Sequence, residues 1–580
     1  MTTSRHVTHE VTNQVPPLAG YDTAGEQALL EAVRREGAGW AEAELRELGE
    51  LAGAEQTIEH ARLANDHPPV LRSHDSSGRR IDEVEFHPSW HALMTTAVSH
   101  GLHAAPWADA RPGAHVARAA KFYAWTQAEA GHGCPVSMTY ACVPAVRQQP
   151  ELAARFEPLL ASPVYDPGLR VPDGKAGLLA GMAMTEKQGG SDVRANSTRA
   201  EPAGDGSYLL TGHKWFCSAP MSDLFLVLAQ ASEGLSCFLL PRVLPDGSRN
   251  AMYLQRLKNK LGNRSNASAE VEYAGAVAWP VGAPGRGVAT IIEMVSATRL
   301  DCVLGSAAAI RQAFAAAAHH AAFRLAFGRY LDQQPLMMSV LADLALEAEA
   351  ATVLAMRLAG AADRAARGDA AEAALLRLAL PAAKYWICKR TPVVTAEALE
   401  CLGGNGYVED SGLPRLYRDA PLNSVWEGSG NVTALDVLRA LARSPESGDA
   451  LLAEVALAEE DRAAPAAAAL AGAAGALRSA LRESAGLAAA GGEQARQAQY
   501  GARRLAGLIT LVLQAALLVR HAPAAISDAF CASRLAAAGG PAGPGGPAGP
   551  GGPFGTLPAG LDLTAILARA TASLPGRAAG

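Results

Sequence analysis

The sequence predicts a mainly helical α+β fold: helices first, then a small β domain, then a helical bundle and an extra C-terminal helical domain. Three observations carry this. Aromatic residues make up only 5% of the 580-residue chain. Alanine, the strongest helix former, recurs throughout, which favours packed helices over a sandwich. The hydrophobic period shortens at about residue 178, lengthens again at about 287, and the composition shifts once more after Ser444. A chain this long exceeds one hydrophobic core, and ordinary domain sizes give about three to four.

Residues 1–177 read as a helical domain broken by loops, with helical patterns around Trp90 and from Ala114 to Glu129. The stretch from Pro68 to Arg80 is rich in Pro, Ser, Asp and Gly and reads as a loop. Trp40, Trp90 and Trp107 are expected in the core. Residues 178–284 hold the runs GLLAGMAMTE, SYLLTGHKWFCSA, DLFLVLAQ, LSCFLLPR and SAEVEYAGAVAW. Turn signals such as Gly204-Asp205-Gly206 and Pro245-Asp246-Gly247 separate them, so they read as strands. From 285 to 443 the helical period returns, with Leu300, Val303, Leu304, Ala307 and Phe314 on one face and Leu435, Leu438 and Ala442 on another. His319-His320 is expected on a helix surface. Residues 444–538 are Ala- and Leu-rich and read as further helices. Residues 539–580 read as a Gly/Pro linker and short tail. Glycine recurs at every third position from Gly540 to Gly555, a run too short for a collagen helix.

A formal charge of −6 gives no bulk attraction to nucleic acid or anionic membrane. The eight cysteines stand singly, with no CxxC pair, so neither a disulfide scaffold nor a zinc site is indicated. His87 and His91, and His100 and His103, have helical spacing but complete no metal motif, and no metal is expected. The N-terminus is polar. The longest apolar run, Leu505 to Val519, is interrupted by Gln514 and is shorter than the roughly 20 residues of a membrane span. No span is expected, and a cytoplasmic setting is. From Arg462 onward, ten Arg stand against four acids.

Four clusters carry chemistry. Met184-Thr185-Glu186 leads into Gly189-Gly190-Ser191-Asp192, where glycine lets backbone N–H groups approach a ligand and Ser or Thr adds a hydroxyl. In Thr211–Ser218 an aromatic, Phe216, and a hydroxyl, Ser218, stand two residues apart on a strand and project to one side, which suits a flat ring. Arg324, Phe327, Gly328 and Gln334 form the third cluster. The fourth joins Gly403-Gly404-Asn405-Gly406-Tyr407 to Asn423–Asn431, where Glu427 sits beside Trp426 in a Gly-rich turn. A carboxylate in an apolar pocket has a raised pKa and becomes a competent base. Each cluster alone also fits plain turn, strand or cap chemistry.

Taken together, and in this order, the clusters resemble the acyl-CoA dehydrogenase family over roughly residues 30–443. The wording MTEKQGGSDV, GHKWFCS, LKNKLGNRSNAS, LGGNGY and NSVWEGSGN, with REGAGW near the N-terminus, is similar to the AidB-type branch of adaptive-response flavoproteins. The resemblance implies an FAD-dependent oxidoreductase acting on acyl-CoA, short or branched, with the electron acceptor unassigned. It implies that Met182, Met184, Thr185, Gly189, Gly190, Ser191, Phe216 and Ser218 surround the flavin, and that Asn423, Ser429 and Asn431 border it. Arg324, Phe327, Gln334, Gly403 and Gly404 are implied to reach the FAD of a neighbouring subunit in a homotetramer. Glu427 would be the base, its backbone N–H and a ribityl hydroxyl polarising the thioester. Thr298 stands where some relatives place the base, and it cannot be one. The branch further implies double-stranded DNA binding in the response to alkylation damage. Its candidates are Arg439, Arg478, Arg482, Arg496, Arg503, Arg504 and Arg520, with Arg534 considered beside them.

Overall fold

The computed structural model describes residues 8–458, 465–535 and 553–577. The N-terminal region contains α1 (Gln27–Arg35), α2 (Glu42–Gly53), α3 (Glu55–Asp66), α4 (Pro88–Ser99), α5 (Ala105–Ala108), α6 (Ala114–Thr126), α7 (Gly133–Val146) and α8 (Pro150–Leu160). Pro88 opens α4, where its missing N–H leaves no bond unmade, and the His87 ring accepts from the Ser89 N–H. Between α3 and α4 the expected loop is instead an antiparallel hairpin, β1 (Val70–His74) and β2 (Arg80–Glu85). The turn residues misled the pattern: the Asp75 carboxylate accepts from the N–H groups of Ser77 and Arg79, while the flanking strands are largely exposed and carry few apolar residues. Trp90 is in the core, 1% exposed, but Trp40 is not. Its indole donates to the Pro112 carbonyl and its ring carries the Arg111 guanidinium at 3.4 Å. Trp107 is half-buried, donating to the Tyr140 carbonyl.

The β domain holds β3 (Ala180–Ala183), β4 (Arg199–Pro202), β5 (Tyr208–Ser218), β6 (Leu224–Ala231), β7 (Gly234–Pro241), β8 (Met252–Leu257) and β9 (Ser268–Val281). The strand path is β3-β6-β4-β5-β9-β7, β7 also pairs β6, and β8 flanks β9. The sheet therefore curls back on itself. The five runs read from sequence are strands here. Two further strands, β4 and β8, are not among those runs; β4 is only four residues long and holds a single alanine besides its proline.

The bundle follows: α9 (Gly287–Phe323), α10 (Pro335–Ala366), α11 (Ala370–Cys401), α12 (Leu413–Asp419) and α13 (Gly430–Arg443). A short hairpin, β10 (Leu325–Ala326) and β11 (Arg329–Tyr330), joins α9 to α10. His319 and His320 are buried, not on a surface. The reason is that α9 is enclosed by α6, α7, α10 and α11, so both sides of the helix are covered. A buried ion pair, Arg118 to Asp301, ties α6 to α9.

Beyond it lie α14 (Glu446–Ala456), α15 (Pro465–Ala490), α16 (Gly492–His521) and α17 (Ala524–Arg534). Among the described residues, α16 is the helix long and apolar enough to cross a membrane, and its apolar stretch is mostly buried, with α16 packed on α11, α13 and α15. Most of the Gly/Pro run lies outside the described residues. Residues 553–577 are ordered against the bundle and include α18 (Leu563–Thr571), N-capped by Asp562, with Ile566 fully buried.

Two imidazoles, His103 buried and His115 partly buried, are expected to make the N-terminal region acid-sensitive. Burial lowers His103 and His115 to about 4, whereas an unfolded His titrates near about 6.5. Between these values the unfolded chain binds more protons. The stability each contributes is therefore present above the unfolded value and lost as pH falls toward the folded one, up to on the order of 3 kcal/mol each. The urea midpoint is expected to drop as pH falls through that window, and His103→Gln should flatten the drop. An unchanged pH slope in that variant would refute this assignment.

Candidate active site

The site is built around one turn. Glu427 sits between a short 3₁₀ turn at residues 422–424 and α13, with a left-handed φ of +56°. A non-glycine residue pays strain of about 1 kcal/mol or more there, and persists only if its surroundings impose it. Those surroundings are visible. Lys384, on α11 and only 1% exposed, donates from Nζ to the carbonyls of Trp426 (2.7 Å) and Gly428 (2.5 Å). Arg299, on α9, donates from Nε to the Glu427 carbonyl at 3.0 Å and is itself held by Asp436 at 2.7 Å. Three successive carbonyls are thus bonded by two cations from different helices.

The Glu427 carboxylate points to α9, where the Thr298 hydroxyl donates to Oε2 at 2.6 Å. Burial raises its pKa above the ordinary carboxylate value, and the Thr298 bond and the Lys384 and Arg299 charges partly oppose this. A carboxylate held ready but reluctant to ionise suits proton abstraction. The Trp426 indole donates to Asn423 Oδ1 at 2.8 Å, and the Asn423 amide donates to Ser306, locking the approach to the turn.

The other group of site residues lies on β5 and around the end of β3. Phe216 is 48% exposed and Ser218 half-buried beside it, on a strand whose register shifts between Lys214 and Cys217. Met182 on β3 and Met184 and Thr185 just beyond it are partly buried, and the chain then runs into the exposed Gly190 and Ser191. A Cβ on Gly190 would come within 2.5 Å of the Thr185 hydroxyl oxygen, so only glycine allows this loop to fold onto Thr185. Glu186, in the same motif, is structural. It is fully buried and accepts from Lys214 Nζ and from Ser197 and Thr198. Burial would raise it, but Lys214 and these donors outweigh burial and hold it at about 2.

Residues 13–167 match the adaptive response protein AidB N-terminal domain. Residues 181–276 match the acyl-CoA dehydrogenase middle domain, and 285–442 its C-terminal domain. The chain is 54% identical over 440 residues to the putative acyl-CoA dehydrogenase AidB of Escherichia coli (strain K12), covering 75% of this chain and 80% of that protein. The chain belongs to the acyl-CoA dehydrogenase family. The structure of Caenorhabditis elegans ACDH-11 in complex with C11-CoA is similar with a TM-score of 0.82 at 27% identity, covering 92% of this chain and 95% of that one. An acyl-CoA dehydrogenase from Bacillus anthracis, solved with FAD, shares the fold with a TM-score of 0.62 at 19% identity, covering 77% and 80%.

In this acyl-CoA dehydrogenase the sequence-derived site residues fall into two groups. Met182, Phe216 and Ser218 lie on β3 and β5, Met184 and Thr185 just after β3, Asn423, Glu427 and Ser429 in the turn before α13, and Asn431 in the first turn of α13. Arg324, Phe327 and Gln334 stand on and beside the β10–β11 hairpin, and Gly403 and Gly404 open the 3₁₀ turn Gly403–Tyr407 after α11. Arg324 donates to the Asn13 carbonyl and Gln334 to the Ala326 carbonyl, so both brace the hairpin in the single chain. Asn431 accepts from Arg503 of α16 at 2.8 Å, which joins the extra C-terminal helices to the helix that follows the Glu427 turn. Sequence reasoning missed Lys384 and Arg299. The signal for Lys384 was present: one lysine inside the apolar helical run LALPAAKYWIC.

Proposed function

We propose that this family member α,β-dehydrogenates acyl-CoA with Glu427 as its base, short or branched acyl groups being the first class to test. The cofactor is FAD, which supplies the hydride acceptor when bound. The residues present suit it: an exposed aromatic face at Phe216, a hydroxyl two residues on, and glycines at 189, 403 and 404 that leave backbone open. Glu427 takes the α-proton of the thioester as the β-hydrogen leaves as hydride. Thr298 orients the carboxylate, while Lys384 and Arg299 hold the turn. The observation that carries this is the Glu427 carboxylate, raised by burial and aimed by Thr298. The test is anaerobic titration of the FAD-loaded protein with acyl-CoAs of graded length and branching. Loss of flavin absorbance with at least one is expected. No bleaching across the panel would sink the proposal.

A homotetramer in the cytoplasm is part of the same proposal. Phe327 (100% exposed), Leu336 (83%) and Tyr407 (82%) are large apolar side chains left uncovered on the single chain, as expected of surfaces that meet another subunit.

A second activity, binding of double-stranded DNA in the alkylation response, is supported by the arginines of the last helices. Arg439, Arg482, Arg496 and Arg504 are exposed on α13, α15 and α16, and Arg478 is half-exposed on α15. Arg496 pairs with Glu493, and Arg503 serves Asn431. Two candidates are otherwise engaged. Arg520 donates to Glu454, and Arg534 is buried against Asp343 and Glu347, so it is not a phosphate contact. In gel shifts, the full chain is expected to bind duplex without sequence preference and with strong salt dependence. Arg482→Ala with Arg504→Ala should weaken binding on all sequences and lower the salt slope by about two. Unchanged affinity and slope would remove these arginines from the interface.

A further inference from the structure

The hairpin that carries Phe327 is held from both ends of the chain. On one side Asn13 brackets Leu325, accepting from its N–H at 2.8 Å and donating to its carbonyl at 2.9 Å. On the other, Arg577 reaches the same loop. Its guanidinium meets Asp332 at 3.1 and 3.3 Å, donates to the Ala322 carbonyl, and lies over the Tyr330 ring at 3.9 Å. Ala322 precedes the hairpin and Asp332 follows it, so one side chain joins its two stems.

Arg577 is delivered there by a docked segment. Phe554 is buried beneath the Arg390 guanidinium, and the Gly555 N–H donates to Asp343. In α18, Ile566 enters the main core while Arg569 pairs with Glu31 at 2.6 Å and Glu349 at 3.0 Å. Arg311 of α9 donates to the Ala570 carbonyl and the Ser573 hydroxyl. Each of these bonds joins the last residues to helices of the dehydrogenase bundle or the N-terminal region. Burial pushes the Glu349 carboxyl up to about 7 even with Arg569 beside it, so without Arg569 that carboxylate would be buried with no cation.

We propose that residues 553–577 are a positioning element for the cofactor, with Arg577 as the residue that sets the Phe327 hairpin for the FAD of a neighbouring subunit. The proposal rests on the reading that this hairpin meets that FAD. The rest of the segment acts as a strap whose docking brings Arg577 to Asp332 and Tyr330.

The test uses the full-length FAD-loaded protein. Arg577→Ala removes a bidentate ion pair and a cation–ring contact, and is expected to speed FAD release about tenfold. Amide hydrogen exchange at Leu325 and Leu331 should quicken in the same variant, with exchange in α6 and α7 unchanged. Arg577→Lys, which keeps the charge but not the fork, should recover part of the loss. Phe327→Ala is the reference. If Phe327→Ala speeds FAD release and Arg577→Ala does not, the strap proposal is overturned while the hairpin's cofactor role stands. If neither does, the underlying cofactor reading falls with it. Should Arg577→Ala loosen exchange throughout the bundle, the segment is a general stabiliser and the positioning role is refuted.

Discussion

Glu427→Gln is expected to reduce the rate of flavin bleaching by acyl-CoA roughly 10²- to 10⁴-fold, with FAD content and folding unchanged. The amide keeps the shape of the carboxylate, and its oxygen can still accept the Thr298 hydroxyl, which lies 2.6 Å from Oε2 in the native protein. What is lost is the site that receives the proton. The wild-type rate has a characteristic pH dependence. Burial raises the Glu427 carboxyl above its ordinary value, and only the ionised form abstracts a proton. The bleaching rate should therefore climb with pH through a midpoint above the normal carboxylate range and then level off. Stopped-flow reduction across pH reads both effects. A Glu427→Gln protein that bleaches as fast as wild type would place the base elsewhere.

Lys384→Met carries the second large effect. The side chain, on α11, is only 1% exposed, and its ammonium bonds two carbonyls of the Glu427 turn. Methionine fills the volume but donates nothing, so both carbonyls are left unpaired where solvent has little access. Each such group costs about 1–3 kcal/mol, giving roughly 2–6 kcal/mol in all. Glu427 also loses a positive charge that had favoured its ionised form. The midpoint of the bleaching profile should then move to higher pH, a shift that loss of stability alone would not produce. Thermal unfolding and the stopped-flow pH profile separate the two. A destabilised variant whose midpoint stays in place would make Lys384 purely structural.

The path from sequence to site shows which signals travel well. The MTE…GGSD, WFCS and WEGSG clusters were legible because each lies within about ten residues, and local backbone geometry decides what each can do. The switch of hydrophobic period placed the β domain, since strands β5, β6, β7 and β9 are apolar enough to show it. The same logic missed β1 and β2, whose side chains face solvent more than core. It put His319 and His320 on a surface, because periodicity describes one face of a helix and α9 has neighbours on several. Arg534 read as a free cation for the same reason: its partners, Asp343 and Glu347, are 191 and 187 residues away.

The sequence by itself determined the family, the order of helical and β regions, and Glu427 as the carboxylate of the turn before α13. These follow from short-range patterns of glycine, hydroxyl and apolar spacing. Only the tertiary structure decided how that carboxylate is held. Thr298 is 129 residues from Glu427, Lys384 is 42 from Trp426, and Arg577 is 245 from Asp332. Such contacts arise when separate helices pack, and no local spacing encodes them.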